Sequence, residues 1–269
     1  MMATRRRFME GTLHAAMLSV LGNRVFGAQA ASGSYALNPA FEYLKKWVAP
    51  TAPYTPDGPM VLKYDIINWM GEGGPHNTVI GKLILSRLRR EQGRVAFRVD
   101  CACGQDHWVS EVTCLDDVWN TPEEWTFTSK PLSPDTNCRN LVENRFKGIR
   151  KKTELELTWA GGRKKSIPFS GPILFPFALL ASPEKWARSS AADQPMNALR
   201  ELHYLMPDQR FIADGTVVLT DGSSLGSFLQ YGPGGIPVNY VSGPTGLPLA
   251  MTGFLISYLL TDAEIGGAA

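Results

Sequence analysis

The side chains of this sequence best suited to chemistry are four clustered cysteines, Cys101, Cys103, Cys114 and Cys138. In an oxidising compartment, an even number of clustered cysteines most often forms disulfide bonds, whose connectivity cannot be read from sequence. Cys101 and Cys103 are expected on one face of a strand, about 6.6 Å apart along it, which is too far for easy bridging to each other. We therefore predict that each pairs with Cys114 or Cys138.

A metal site is the alternative use of these cysteines. Asp106 and His107 closely follow Cys103, and four thiolates could supply a tetrahedral ligand set. Structural zinc sites usually show paired C-x2-C motifs, whereas here one C-x-C motif is followed by two wider gaps. We therefore predict disulfide bonds, no bound metal and no cofactor.

One pattern matches a serine nucleophile, because Gly222–Gly226 places Ser224 in the serine position of Gly-x-Ser-x-Gly. A nucleophile elbow leads from a strand into a helix and has its histidine later in the chain, but no histidine follows Ser224. Asp221 and Gly222 also form a standard hairpin turn signal. The nearest cluster of titratable residues consists of Asp100, Asp106 and His107. The catalytic candidates are therefore these three residues and Ser224.

Alternating apolar and polar residues predict the strands that would position these side chains. Strand-like runs joined by short turns extend from Met60 to Trp159 and from Gln209 to Leu260. A parallel sheet needs helical crossovers between its strands, and the early strands leave no room for them. We predict a mainly β fold, with a strongly curved antiparallel sheet or open half-barrel wrapped around a few helices. A helical insertion is expected near residues 182–206, with His203 on the apolar face of a helix from Met196 to Met206.

The first 30 residues predict where the protein works. Arg5, Arg6 and Phe8 resemble a twin-arginine translocation motif, an apolar run follows them, and Ala28 and Ala30 fit a signal-peptidase site. The expected partners are the twin-arginine translocase and signal peptidase, and the expected location is the periplasm or the exterior, reached in a folded state. The apolar run is too short to serve as a stable membrane span. A helix and a Pro-rich connector are expected over residues 31–59, followed by one β domain over residues 60–269.

Removing this signal also removes the positive charge of the chain. Four of the 27 basic residues and one of the 25 acidic residues lie in the first 30 positions, so the formal charge changes from +2 to −1. A near-neutral protein lacks the basic face that neutralises nucleic-acid phosphates. We therefore expect no nucleic-acid partner.

The order of these parts resembles exported bacterial proteins with the lipoprotein-carrier fold, of the outer-membrane lipoprotein chaperone type. The matching pieces are the strands from Val61 to Trp159, the Pro-rich apolar stretch Ile173–Leu180 and the ending Tyr231–Val238. The resemblance implies a concave apolar surface that could hold an acyl chain, a sugar or a hydrophobic peptide. It carries no catalytic residues across, because that fold has no common catalytic set.

The expected function is therefore that of a periplasmic, non-catalytic binding or carrier protein for a lipid, a sugar or a hydrophobic partner. Two alternatives stay open. One is a metal- or cofactor-bearing accessory subunit of an exported redox enzyme, and the other is an extracellular hydrolase or lyase, for example on a polysaccharide.

Overall fold

The computed structural model describes residue 48 and residues 53–68, 78–104, 106–131, 143–253 and 256–266. The predicted signal peptide, most of the predicted connector and Cys138 lie outside these residues. The described residues belong to one compact unit, Ser34–Ala269. No helix among them is long and apolar enough to cross a membrane.

Strands dominate the regular structure of the described residues. They are β1 (Met60–Asn68), β2 (Thr78–Glu91), β3 (Arg94–Cys103), β4 (Asp106–Leu115), β5 (Pro122–Pro131), β6 (Asn144–Arg150), β7 (Glu154–Trp159), β8 (Lys164–Pro168), β9 (Ile173–Leu174), β10 (Met196–Arg200), β11 (Tyr204–Val218), β12 (Ser224–Tyr231), β13 (Val238–Ser242), β14 (Pro248–Thr252) and β15 (Ile256–Ile265). Two short helices, α1 (Pro176–Ala181) and α2 (Pro183–Ala187), lie between β9 and β10.

These strands form one sheet with two arms that meet where β1 pairs with β15. In the first arm each strand pairs with its sequence neighbour from β1 to β8, and in the second arm from β15 back to β9. Between described strands, every pairing is antiparallel except that of β9 with β10. The prediction of a mainly β, antiparallel fold with few helices is confirmed.

One face of the sheet carries the hydrophobic core. On β3, Val95, Phe97 and Val99 are buried, whereas Arg94 and Arg98 are exposed, as the alternation of a half-buried strand requires. We call the face that carries Val95, Phe97 and Val99 the inner face and the opposite one the outer face. Directly paired residues on neighbouring strands share a face, so the strand register extends this assignment across the sheet.

The two ends of the sheet are named after the ends of β1. At the Asn68 end, β1 and β3 finish and β4 begins, and the turn between β7 and β8 lies at this end too. At the Met60 end lie the turns that join β2 to β3 and β4 to β5. The sheet thereby separates the candidate residues by face and by end.

The segment between β9 and β10 packs against both arms of the sheet. Each helix begins with a proline at its first position, where no intrahelical hydrogen bond is lost. The ring of Phe175 lies 6.0 Å from Phe97 of β3, and the ring of Trp186 lies 6.4 Å from Phe211 of β11. Because β3 and β11 belong to different arms, this segment joins the arms through aromatic contacts.

The prediction of a helix from Met196 to Met206 is wrong. These residues form β10, a tight turn and the start of β11, with Arg200 paired to Tyr204. Glu201 and Leu202 adopt φ angles of 51° and 59°, which end β10 and turn the chain back. The apolar spacing mimics a helix because the turn itself is buried, leaving Leu202 only 3% exposed.

A tryptophan from the first arm anchors this buried turn. The indole Nε1 of Trp125 on β5 donates a hydrogen bond to the carbonyl oxygen of Leu202 at 2.9 Å. Its ring lies over Gly148 of β6, where an added Cβ would be 2.0 Å from the Trp125 ring. The glycine therefore makes room for the contact that joins the β10–β11 turn to the first arm.

Candidate functional site

The strand register places the cysteines apart. Cys101 is opposite Trp108 on the inner face, whereas Cys114 is opposite Val95, six residues further along the β3–β4 ladder. This separation is about 20 Å, too long for a disulfide bond. The predicted pairing of Cys101 or Cys103 with Cys114 therefore does not hold, and the three described thiols are free. Cys138 lies outside the described residues.

The described thiols are poorly suited to nucleophilic or ligand chemistry. Burial raises the pKa of the Cys101 thiol to about 12, with further contributions from the charges of Cys103 and Asp100. Burial also raises the pKa of Cys103 and, more strongly, that of Cys114. The reactive form of a cysteine is the thiolate, so the raised pKa values lower the reactivity of these thiols at neutral pH.

We expect Cys101 and Cys114 to resist iodoacetamide in the folded protein at pH 8, because both are buried and their raised pKa values keep the thiols protonated. Peptide mass spectrometry after timed alkylation measures this, with the half-buried Cys103 as an internal control that reacts sooner. In denaturant without reductant, Cys114 should become fully labelled. Labelling of Cys114 only after reduction would show that it forms a disulfide bond.

Asp100 and His107 meet on the outer face. The Nε2 atom of His107 lies 2.8 Å from Oδ1 of Asp100, and the two side chains are 38% and 32% exposed. Asp106 is opposite Cys103, so the strand register places it on the other face. The structure thus brings together two of the three predicted residues. Among the described residues, no three His, Cys, Asp or Glu side chains are arranged to hold a metal ion.

Ser224 lies far from this pair. It begins β12 at the Met60 end of the second arm, opposite Val218, and is exposed. The preceding turn is held by Asp221, whose Oδ1 accepts hydrogen bonds from the backbone N–H and the hydroxyl of Ser223. The hairpin expected from Asp221 and Gly222 is confirmed, and the chain continues from Ser224 as a strand rather than as the helix of a nucleophile elbow.

A row of aromatic side chains crosses the inner face at the Asn68 end. We call it the aromatic row; its members are Trp108 of β4, Phe127 of β5, Phe146 of β6 and Trp159 of β7. Consecutive ring centroids are 5.8, 4.9 and 5.6 Å apart. Phe177 of α1 extends the row, with its ring 5.9 Å from that of Trp108.

The aromatic row is partly open to solvent. Trp108, Phe127, Trp159 and Phe177 are half-buried, although they lie on the inner face. The rings of Trp108 and Phe127 are stacked, as are those of Phe127 and Phe146. In both stacked pairs, a face of each ring is turned toward the neighbouring ring. The row therefore offers an apolar strip rather than separate stacking platforms.

Apolar residues also mark the rim of the Asn68 end. Val79 and Ile256 are 50% and 39% exposed, and they pair with the last two residues of β1. Tyr258 of β15 is half-buried. Burial raises the pKa of its hydroxyl group, and the neighbouring Cys101 and Cys103 raise it further. These residues extend the apolar lining from the first arm to β15.

A separate pocket of about 320 Å³ lies at the Met60 end, between α2 and β11–β13. Phe228 and Ser242 line it from the sheet, and Glu184 and Arg188 line it from α2 and the residue that follows. Arg188 forms an ion pair with Glu184. The volume of this pocket is near the lower limit of small-molecule sites. None of the candidate residues predicted from the sequence lines it.

Sequence reasoning missed the aromatic row. Its members lie on four different strands, and only the register brings them side by side. The available signal was one aromatic residue on the apolar face of each predicted strand, which is equally typical of a core.

No protein-family model and no curated protein matches the chain. A solved structure does match it: the beta-barrel-like protein of the domain of unknown function DUF1849 from Brucella abortus. The two chains share 10% sequence identity, with a TM-score of 0.48, over 80% of this chain and 99% of the other.

Proposed function

We propose that this chain is a non-catalytic binding or carrier protein whose curved sheet holds the apolar chain of a lipid or similar amphiphile. The observation that carries the proposal is the half-open aromatic row on the inner face, at the end of the sheet where apolar residues also mark the rim. Ligand sites are typically concave and mostly apolar, with few polar groups. The proposal includes export to the periplasm by the twin-arginine route and a lipoprotein-carrier-like half-barrel.

The ring geometry favours an apolar chain over a sugar. Sugars bind best to an open aromatic face, whereas the faces in the row are turned toward neighbouring rings. At one end, the guanidinium carbon of Arg163 lies 4.1 Å from the centroid of the Trp159 ring and covers it. An alkyl chain needs no ring face and gains from each apolar contact along the strip.

The catalytic alternatives have less support. Asp100 and His107 form a pair on the outer face, with Ser224 at the other end of the sheet. The separation of Cys101 from Cys114 along the β3–β4 ladder does not favour the metal-bearing accessory role, which needs several thiolates at one site.

A long-chain fatty acid brominated near its methyl end tests the proposal. Bromine quenches tryptophan at short range, so titration should quench the fluorescence of Trp108 and Trp159, and the Trp159→Phe variant should lose part of that quenching. A glutamate at Phe127 places a charge in the strip, and we expect Phe127→Glu to weaken binding at least tenfold. Phe127→Ala, a milder change, should weaken it less.

Ile84→Glu is the matched control, because Ile84 lies on the outer face and is 38% exposed. It should leave the affinity unchanged. Circular dichroism checks that every variant is folded. The proposal fails if the wild-type protein shows no saturable quenching, or if Ile84→Glu weakens binding as much as Phe127→Glu does.

A further inference from the structure

The free edge of the first arm concentrates positive charge. Residues 144–168, which form β6, β7, β8 and their turns, contain eight basic side chains and two acidic ones. The whole chain has a formal charge of only +2. The near-neutral total therefore hides a strongly uneven distribution, which the composition alone does not reveal.

Most of this charge is not neutralised by neighbours. Three of the eight basic side chains form ion pairs with carboxylates, namely Arg145 with Glu143, Lys147 with Glu124 and Lys164 with Glu156. The other five form no ion pair with any carboxylate of the described residues; they are Arg150, Lys151, Lys152, Arg163 and Lys165. All of these five except the half-buried Arg150 are exposed. We call these five residues the basic edge.

The basic edge borders a strand with one unpaired side. Among the described strands, β8 pairs only with β7, and its residues are mostly exposed. Lysines and a proline on an edge strand prevent it from pairing with other chains, and Lys164, Lys165 and Pro168 fit that role. Protection of β8 does not account for Lys151 and Lys152, which lie at the β6–β7 turn, nor for Arg163 on Trp159.

We propose that the basic edge docks this protein on an anionic lipid bilayer. Lysine and arginine side chains near a membrane are attracted by acidic headgroups, and tryptophan favours the membrane interface. Arg163 and Trp159 place one cation in contact with the end of the aromatic row. The basic edge runs along the free side of the first arm, from Lys151 and Lys152 at the Met60 end to Arg163 beside the aromatic row at the Asn68 end. Exposed cations along an edge that ends at a half-open apolar strip fit a layer of acidic headgroups next to hydrocarbon.

A nucleic acid is the less suitable polyanion. Single-stranded nucleic acids bind grooves in which bases stack on open aromatic faces. Here the ring of Trp159 is covered by Arg163, and the ring faces of Phe127 and Phe146 are turned toward each other. The inference does not depend on the proposed carrier function, because docking requires only the exposed charges.

Vesicle co-sedimentation tests the inference. The purified protein should bind vesicles of phosphatidylcholine mixed with phosphatidylglycerol, should not bind phosphatidylcholine alone, and should be released by high salt. The double variant Lys152→Glu with Lys165→Glu should bind the anionic vesicles roughly 30-fold more weakly or worse. Because glutamate also keeps the β8 edge charged, this variant should stay monomeric on size-exclusion chromatography.

The double variant Lys82→Glu with Lys130→Glu is the matched control. It changes the net charge by the same amount as the first double variant, but on the outer face of β2 and β5. It should bind like the wild-type protein. All variants share the Arg5–Arg7 run, so the comparison between them isolates the basic edge. Equal weakening by both double variants, or binding to single-stranded DNA as tight as to anionic vesicles, would overturn the inference.

Fatty-acid quenching on the same variants separates the two proposals. Loss of vesicle binding with unchanged quenching in the Lys152 and Lys165 variant supports docking as a distinct role. If the wild-type protein binds no fatty acid but binds anionic vesicles through the basic edge, the carrier proposal fails and the docking inference stands.

Discussion

Replacing Arg87 with methionine is expected to lower the free energy of unfolding by about 3 kcal/mol or more. Arg87 lies on β2 and is only 3% exposed. Its Nε donates to the carbonyl oxygen of Gly58 at 2.7 Å and its Nη2 to that of Thr55 at 3.0 Å, while Nη1 donates to the carbonyl of Pro56. Methionine fills a similar volume but leaves these carbonyl groups without their donor. Urea denaturation followed by circular dichroism measures the loss.

Arg98→Met provides the matched control for Arg87. Arg98 is on the neighbouring strand β3 and is exposed, with Nη1 2.7 Å from Glu111 Oε1. Exposed ion pairs contribute little, so this substitution should change the free energy of unfolding by less than about 1 kcal/mol. Arg87→Lys keeps the positive charge but loses the planar set of guanidinium N–H donors. We expect it to lower the free energy of unfolding by an amount between those of the two methionine substitutions. Equal effects of the two methionine substitutions would contradict the structural role of Arg87.

Gly148→Ala is expected to lower the free energy of unfolding by about 2 to 3 kcal/mol, because the added Cβ would overlap the Trp125 ring. The ring must then move, which breaks the hydrogen bond from Trp125 to Leu202. Differential scanning calorimetry should show a lower Tm. Gly161→Ala in the β7–β8 turn is the matched control, because nothing lies within 4 Å of its added Cβ.

A double-variant cycle identifies the cause of the Gly148 effect. If the clash with Trp125 is responsible, Gly148→Ala should cost less stability in a Trp125→Leu background than in the wild-type protein. The same loss in both backgrounds would mean that Trp125 is not the residue that requires glycine at this position.

Local patterns in the sequence predict a strand of the first arm and a hairpin turn of the second arm correctly. The alternation on β3 and the turn at Asp221 and Gly222 depend on neighbouring residues, and both were confirmed. The helix predicted from Met196 was wrong, because burial of the turn at Leu202 depends on Trp125, far away in the sequence. Apolar spacing alone does not distinguish that buried turn from the face of a helix.

The candidate site was less predictable than the fold. The cluster of Asp100, Asp106 and His107 is close in sequence, yet the two faces of the sheet separate Asp106 from the other two. The aromatic row depends on the register between successive strands, and the bonds of Arg87 depend on the carbonyl groups of Thr55, Pro56 and Gly58 before β1. Arg87 looks like an ordinary strand residue in the sequence, and nothing local indicates that it is buried.

The joining of the two arms by β1 and β15 has a consequence for biosynthesis. Lys63 on β1 and Asp262 on β15 are 199 positions apart in the chain and form an ion pair across the two strands. While the ribosome is still adding residues 69 to 255, β1 has its partner β2 but an exposed second edge, which is an aggregation hazard. Closing such a distant contact is slow because of the entropy of the intervening loop. The nascent protein therefore needs protection of β1 until nearly all of this domain has been translated, and a chain that terminates before Ile256 would retain that open edge permanently.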